Sequence, residues 1–191
     1  MPDFANVLDF WFGPPASPEL GRPRTCWFEK SDAFDAEVRA RFGSLLGKAN
    51  AGELDHWTDT PFAALALTVV LDQFPRNASR GTPASFASDA RALAVARSVI
   101  RRGFDRLLLP VQRWFVYLPF EHAEDLAAQR ESLRLFGMLT GDPASESTID
   151  YARRHYDVVA RFGRFPHRNA ILGRTSTEEE TAYLEQPGSG F

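Results

Sequence analysis

Apolar side chains recur every three or four residues along most of the chain, the spacing that places them on one face of an α-helix. One such series runs from Phe34 to Leu46 behind Ser31, a residue type that favours the first position of a helix. No segment alternates apolar and polar residues as a half-buried strand does. The pattern therefore predicts an all-α fold of seven to nine helices, with antiparallel neighbours.

The segment from Phe62 to Leu71 is apolar on every helical face, so we expect this helix to be central and surrounded. Thr60 and Pro61 are suited to its start. Because proline lacks an amide proton, we expect the helix to stop at Pro75, and a second apolar helix to be interrupted at Pro119. A further helix is then predicted from near Phe120 to Leu139.

A length of 191 residues favours one helical domain over residues 1–191. Within it, the Pro-, Gly- and Arg-rich stretch at 13–26 predicts a surface loop, and the Gly-rich end predicts a frayed tail at 186–191. Ser176 and Glu179 have the spacing of a capping box at the start of the last helix. Helix pairs of roughly 30–45 residues indicate a helical-hairpin array.

Composition narrows the possible functions. The chain has 22 basic and 25 acidic side chains and a net charge of −3, which argues against a nucleic-acid partner. The single cysteine, Cys26, excludes an intramolecular disulfide and a Cys-based zinc cluster. The longest apolar run is half of a membrane span, and the N-terminus lacks a signal-peptide pattern, so we expect a cytoplasmic protein without a membrane partner. No nucleotide or metal-ligand motif is present, so no cofactor and no metal are predicted.

Polar residues interrupt the apolar pattern at three places, and the first is the helix predicted after Phe120. His122 and Gln129 fall on its inward stripe, where a buried polar group needs a partner. Glu121 and Asp125 flank them, and His122 paired with either carboxylate has the composition of a general acid–base site. The alternative is that these carboxylates complement the positive end of the helix dipole.

The second place is Asp72, at the end of the central apolar helix, where the helix carboxyl terminus disfavours negative charge. A buried carboxylate there requires a cation or a proton. Arg76 lies one turn further on, and Asn77 shares the same helix end. The two interpretations are a purely structural ion pair and part of a ligand site.

The third place is a basic segment that contains Arg164, His167 and Arg168 and precedes a short turn. Guanidinium groups and free backbone N–H groups together favour a carboxylate or a phosphate. The alternative is that these side chains clamp helix ends of their own chain.

These three places coincide with sequence blocks of a known family. The blocks are Val7–Gly13, Trp27–Phe28, Asp72–Asn77, Gln112–Phe115, Pro119–Asp125 and Phe162–Asn169. Together they resemble the family catalogued as domain of unknown function 924, over about residues 4–185. The resemblance implies a mainly bacterial protein with a tetratricopeptide-like helical fold and implies no activity.

Two functional hypotheses follow. In the first, a pocket binds a small anionic ligand, with His122, Glu121 and Asp125 as acid–base groups. The ligand-binding residues are then predicted to be Asp72, Arg76, Asn77, Gln129, Arg164, His167 and Arg168. In the second, the chain is a noncatalytic tetratricopeptide-like module that binds a peptide in a concave groove. A site is expected to reach solvent with a donor or acceptor left free, whereas structural ion pairs are dry and fully paired.

Overall fold

The computed structural model describes residues 3–190, and all regular secondary structure in this range is helical. The eight α-helices are α1 (Phe4–Phe12), α2 (Asp32–Ala51), α3 (Pro61–Ala78), α4 (Asp89–Arg101), α5 (Pro110–Glu121), α6 (Leu126–Gly137), α7 (Glu146–Phe162) and α8 (Glu178–Leu184). Short 3-10 turns stand between them at Thr25–Trp27, Asp55–Asp59, Pro83–Ser85, Phe104–Leu107, Pro143–Ser145 and Pro166–Arg168. The predicted all-α fold is therefore confirmed.

Helix α3 lies at the centre of the molecule, as its sequence predicts. Every residue from Ala63 to Pro75 is buried, and α3 contacts α1, α2, α4 and α5. The buried Thr68 hydroxyl donates to the Ala64 carbonyl at 2.8 Å, so the polar atom inside the core is satisfied.

The predicted effects of two prolines are wrong. Pro75 and Pro119 lie inside α3 and α5, which continue to Ala78 and Glu121. A proline removes one backbone hydrogen bond from a helix. Because both segments are buried, packing against neighbouring helices outweighs that loss. The chain therefore turns after Ala78 and after Glu121, not at the prolines.

The helix predicted from Phe120 to Leu139 is also different in the structure. Helix α6 begins only at Leu126, with the Asp125 carboxylate accepting from the Ala128 amide at 2.8 Å as its N-cap. His122 instead ends α5. In a continuous helix, backbone amides donate to backbone carbonyls of the preceding turn. An N-cap carboxylate accepts from such an amide in place of a carbonyl, so Asp125 marks the start of a new helix and separates α5 from α6. Glu121 therefore sits at the carboxyl end of a helix, not in a first turn.

Side-chain caps mark the starts of α2 and α8. Ser31 caps α2 by accepting from the Phe34 amide, as predicted. The capping box of α8 lies one residue later than predicted, between Thr177 and Glu180. The Glu180 carboxylate accepts from the Thr177 amide at 2.8 Å and is also held by Arg164, which selects this register.

The aromatic side chains near α1 form a cluster within the core. Trp11, Phe12, Trp27 and Phe115 contact one another, mostly edge to face with ring centroids 4.8–6.3 Å apart. Phe28, by contrast, is 60% exposed. No helix within residues 3–190 combines the length and the apolarity that crossing a bilayer requires.

Two predictions concern the ends of the chain. The predicted frayed tail at 186–191 includes Phe191, and the predicted domain over residues 1–191 includes Met1 and Pro2. These three residues lie outside the described range. Within the tail, the Ser189 hydroxyl donates to the Leu184 carbonyl, and the Gly188 carbonyl accepts from Arg154.

Candidate functional site

The buried carboxyl end of α3 carries an ionised carboxylate, Asp72, whose side chain is 0% exposed. Its Oδ1 accepts from His122 Nδ1 at 2.8 Å, and its Oδ2 accepts from Gln73 Nε2 at 2.6 Å. Arg76 Nη1 lies 3.5 Å from Oδ1. Burial alone would raise the pKa of Asp72, but the Arg76 guanidinium and His122 outweigh burial and lower it to about 2.

The hydrogen bond to Asp72 determines the tautomer of His122. An ionised carboxylate only accepts, so Nδ1 carries the proton. Burial and the Arg76 charge lower the pKa of His122, although Asp72 opposes them. The ring is therefore neutral at pH 7, with the lone pair on Nε2. That atom makes no hydrogen bond within residues 3–190, and the side chain is 13% exposed.

Two arginines converge on the first residue of α4. Arg76 donates from Nη1 and Nη2 to the two carboxylate oxygens of Asp89, at 2.9 and 3.1 Å. Arg168 Nη1 donates to Asp89 Oδ2 at 3.2 Å. The Arg168 guanidinium carbon also lies 4.6 Å from the ring centroids of both Phe86 and Phe165. One carboxylate thus joins the end of α3, the start of α4 and the turn after α7.

Arg168 is an unusual cation because its side chain is only 7% exposed. Burial and the neighbouring Arg76 lower its pKa to about 10, although Asp89 opposes them. Its buried Nε has no hydrogen-bond partner in the described part of the chain. A buried donor without a partner costs about 1–3 kcal/mol, so this guanidinium is incompletely satisfied by the protein alone.

A second acidic group, Glu121, lies next to His155 of α7. Glu121 Oε1 is 3.1 Å from His155 Nδ1, which also contacts the Tyr151 carbonyl at 2.8 Å. Burial and then the Asp72 charge raise the pKa of Glu121 well above its usual value, while burial and His122 lower the pKa of His155 to about 3. His155 is therefore neutral at pH 7, and burial favours the protonated form of the Glu121 carboxyl.

These groups form one cluster, which we call the polar centre. Its members are Asp72 and Arg76 of α3, Asp89 of α4, Glu121 and His122 of α5, His155 of α7, and Arg168 of the Pro166–Arg168 turn. The rings of His122 and His155 have centroids 6.3 Å apart and connect its two halves. His167 lies beside Phe165, and burial and Arg168 lower its pKa to about 4.

Four of the residues predicted for the site have structural contacts instead. Asn77 donates to the Asp35 carboxylate at 2.8 Å, which Arg80 also binds. Gln129 donates to the Glu121 and Ala123 carbonyls and closes the turn between α5 and α6. Arg164 forms two hydrogen bonds with the carboxylate of Glu180 in α8. Asp125 caps α6.

Asp89, Phe86 and His155 are not among the site residues predicted from the sequence. Asp89 follows Ser88 at the start of a helix, where an acidic residue is ordinary. No signal in the sequence distinguishes it from other acidic residues in first turns. His155 was visible as a polar residue at the edge of an apolar face of α7.

Two surface cavities lie away from the polar centre. One of about 420 Å³ is lined by the loop from Pro18 to Cys26. Another of about 310 Å³ lies between Arg97, Phe120 and Glu131. No three His, Cys, Asp or Glu side chains within residues 3–190 are grouped so as to hold a metal ion.

Residues 7–188 match the family described as "Bacterial protein of unknown function (DUF924)". A solved structure of a protein of unknown function from Agrobacterium tumefaciens shares 43% sequence identity with this chain, with a TM-score of 0.84. The match covers 95% of this chain and 96% of the other. No curated protein matches the chain.

Proposed function

The chain belongs to the DUF924 family of bacterial proteins, whose description assigns no activity, and we propose that it binds a small anionic ligand at the polar centre and acts on it through His122 as a general base. The Asp72–His122 pair is the observation that carries this proposal. An imidazole is arranged to accept a proton when a buried carboxylate binds its Nδ1–H group and its Nε2 atom is free. His122 has this arrangement.

The surroundings of the pair support proton transfer. Asp72 holds the ring in one tautomer, and its negative charge stabilises the imidazolium that forms when Nε2 takes a proton. Because Asp72 is fully buried, this attraction is weakly screened. A positioned acid–base group of this kind typically contributes about 10²–10⁴-fold to a rate.

The two arginines supply the anion-binding half of the site. Arg168 is buried, flanked by two aromatic rings, and has an unpartnered Nε, and Arg76 stands beside it on the same carboxylate. Guanidinium groups bind carboxylates and phosphates in a fixed geometry. His122, Arg76 and Asp89 side chains retain 13%, 19% and 18% exposure, so the cluster reaches solvent.

The proposed site contains fewer residues than the site predicted from the sequence. We retain Asp72, Arg76, His122 and Arg168 as site residues, and we place Glu121 next to them as a carboxyl group with a raised pKa. The contacts of Asp125, Asn77, Gln129 and Arg164 leave them supporting roles at helix ends. His167 stays in the wall of the site beside Phe165.

Long-range ¹H–¹⁵N NMR of the imidazoles tests the proposal before any substrate is known. We expect His122 at pH 7 to be neutral, with Nδ1 protonated and Nε2 unprotonated, and the Asp72→Asn variant to lose this tautomer preference. His56, which is exposed, serves as the reference imidazole. A charged His122 at pH 7, or one protonated on Nε2, would contradict the proposed base.

A thermal-shift screen of small carboxylates, phosphates and short peptides then tests ligand binding. A compound that binds the site is expected to stabilise the wild type and His122→Asn alike, because asparagine keeps the hydrogen bond to Asp72, whereas turnover falls at least 100-fold. The matched control is His56→Asn, in which both binding and turnover are expected to persist. Stabilisation by peptides alone would instead favour the peptide-binding module.

A further inference from the structure

The Asp89 carboxylate occupies the place in which two guanidinium groups would hold a ligand. Arg76 meets it with two parallel N–H···O bonds, the fork geometry that arginine forms with a planar carboxylate. Arg168 adds one longer contact, at 3.2 Å. The protein's own side chain therefore fills the anion position in this structure.

The fit to Arg168 is incomplete. Asp89 is its single ion-pair partner within residues 3–190, and that contact uses only Nη1. The Nε donor is buried without a partner. Asp89 is tethered to the first residue of α4, which limits how its carboxylate meets both guanidinium groups. An untethered carboxylate is free of that limit and gains the donors that Asp89 leaves unused.

Asp89 is also placed so that it can leave. Its side chain is 18% exposed, against 7% for Arg168 and 19% for Arg76, so solvent reaches Asp89 and one of its two arginines. It stands at the start of α4, where the helix dipole and free backbone N–H groups stabilise a carboxylate that has no other partner. The neighbouring Ser88 hydroxyl is buried and has no hydrogen-bond partner in the described residues.

We propose that the ligand of the polar centre is a carboxylic acid whose carboxylate displaces Asp89 from Arg76 and Arg168, so that Asp89 acts as an internal competitor. This proposal rests on the proposed function for the location of the site and adds the class of ligand. Asp89 is itself a carboxylate and meets Arg76 through both of its oxygens, so a carboxylate ligand reproduces this contact. Phe86 and Phe165, beside Arg168, supply apolar contact for the rest of the molecule.

Calorimetric titration with succinate tests the displacement. If Asp89 fills the site at least about 90% of the time, removing its charge raises the apparent affinity about ten-fold or more. We therefore expect Asp89→Asn to bind succinate at least ten-fold more tightly than the wild type, and Arg168→Lys to bind it at least ten-fold more weakly. Asp35→Asn is the matched control, because it breaks another Asp–Arg bridge, to Arg80, and is expected to bind like the wild type.

Three outcomes would overturn the proposal. The first is that Asp89→Asn and the wild type bind succinate with equal affinity. The second is that Asp35→Asn gains as much succinate affinity as Asp89→Asn does. The third is that Asp89→Asn gains as much affinity for inorganic phosphate as for succinate. If Asp89→Asn does not fold, the wild type serves: the ¹³C resonance of the Asp89 carboxyl is expected to shift with succinate saturation, and an unmoved resonance would overturn displacement. Binding is measured without turnover, so failure of His122 as a base would leave this result standing.

Discussion

At the scale of single residues, the pKa values of two buried carboxyl groups of the polar centre are shifted in opposite directions. Asp72 is ionised because Arg76 and His122 lie within reach of its oxygens. Glu121 has a neutral imidazole as its neighbour, so burial, together with the negative charge of Asp72, raises the pKa of its carboxyl. Two acidic residues of the same site therefore differ because of their neighbours.

The raised pKa of Glu121 has a consequence for stability. Its stabilising effect is complete below the pKa of an unfolded glutamate and is lost as the pH rises toward the raised pKa in the folded protein. We expect Glu121→Gln, which is neutral at every pH, to become progressively more stable than the wild type between pH 4 and pH 8. Urea denaturation at several pH values measures this, and each kcal/mol gained raises the melting temperature by about 2–4 °C.

Glu131 provides the matched control for this substitution. It lies near the surface on α6, and its hydrogen bond with Arg134 lowers its pKa. The stabilisation that Glu131 provides is therefore present at neutral pH and lost as the pH falls. Glu131→Gln is accordingly expected to become less stable relative to the wild type as the pH rises, which is the opposite of the trend for Glu121→Gln. A stability difference for Glu121→Gln that does not change with pH would show that this carboxyl is ionised in the folded protein.

At the scale of elements, the segment between α7 and α8 is attached to the rest of the protein through Glu124. The Glu124 carboxylate accepts from the Phe165 amide at 2.7 Å and from Arg174 at 2.6 and 2.8 Å. Burial would raise the pKa of Glu124, but Arg174 and the Phe165 amide lower it, so it stays ionised. This contact positions the turn that carries Arg168.

We expect Glu124→Gln to lower the free energy of unfolding by about 1–3 kcal/mol, because an amide cannot accept all three hydrogen bonds and leaves donors unpaired. Amide hydrogen exchange at Phe165 is expected to accelerate, since its acceptor is weakened. Thr177→Ala is the control: it removes the cap of α8 at a cost of about 1 kcal/mol and leaves exchange at Phe165 unchanged. Unchanged protection at Phe165 in Glu124→Gln would refute this anchoring role.

At the scale of the whole molecule, α3 determines where the polar centre forms. Its apolar length is enclosed by four other helices, and its carboxyl end brings Asp72 and Arg76 against the end of α5 and the start of α4. Packing of α3 is therefore the common support of the core and of the site. The fully buried Leu67 lies in the middle of this helix.

We expect Leu67→Ala to reduce the free energy of unfolding by about 2–5 kcal/mol, because a cavity remains where the side chain was. For a chain of this size the melting temperature falls by about 4–20 °C. Phe62→Ala, on the same helix but 47% exposed, is expected to cost much less. Similar melting temperatures for the two variants in a calorimetric scan would contradict the central role of α3.

The helical architecture, the burial of α3 and the Ser31 cap can be predicted from the amino-acid sequence, because these features depend on residues a few positions apart. The sequence also marked Asp72, His122 and Arg168 as polar groups in unfavourable surroundings. The continuation of α3 and α5 through their prolines depends on packing in the folded protein, which outweighs one lost hydrogen bond. Folding also pairs His122 with Asp72, 50 residues away, and Arg168 with Asp89, 79 residues away, and it raises the pKa of Glu121. Charge states and ion pairs depend on distances and burial that arise only when helix ends meet.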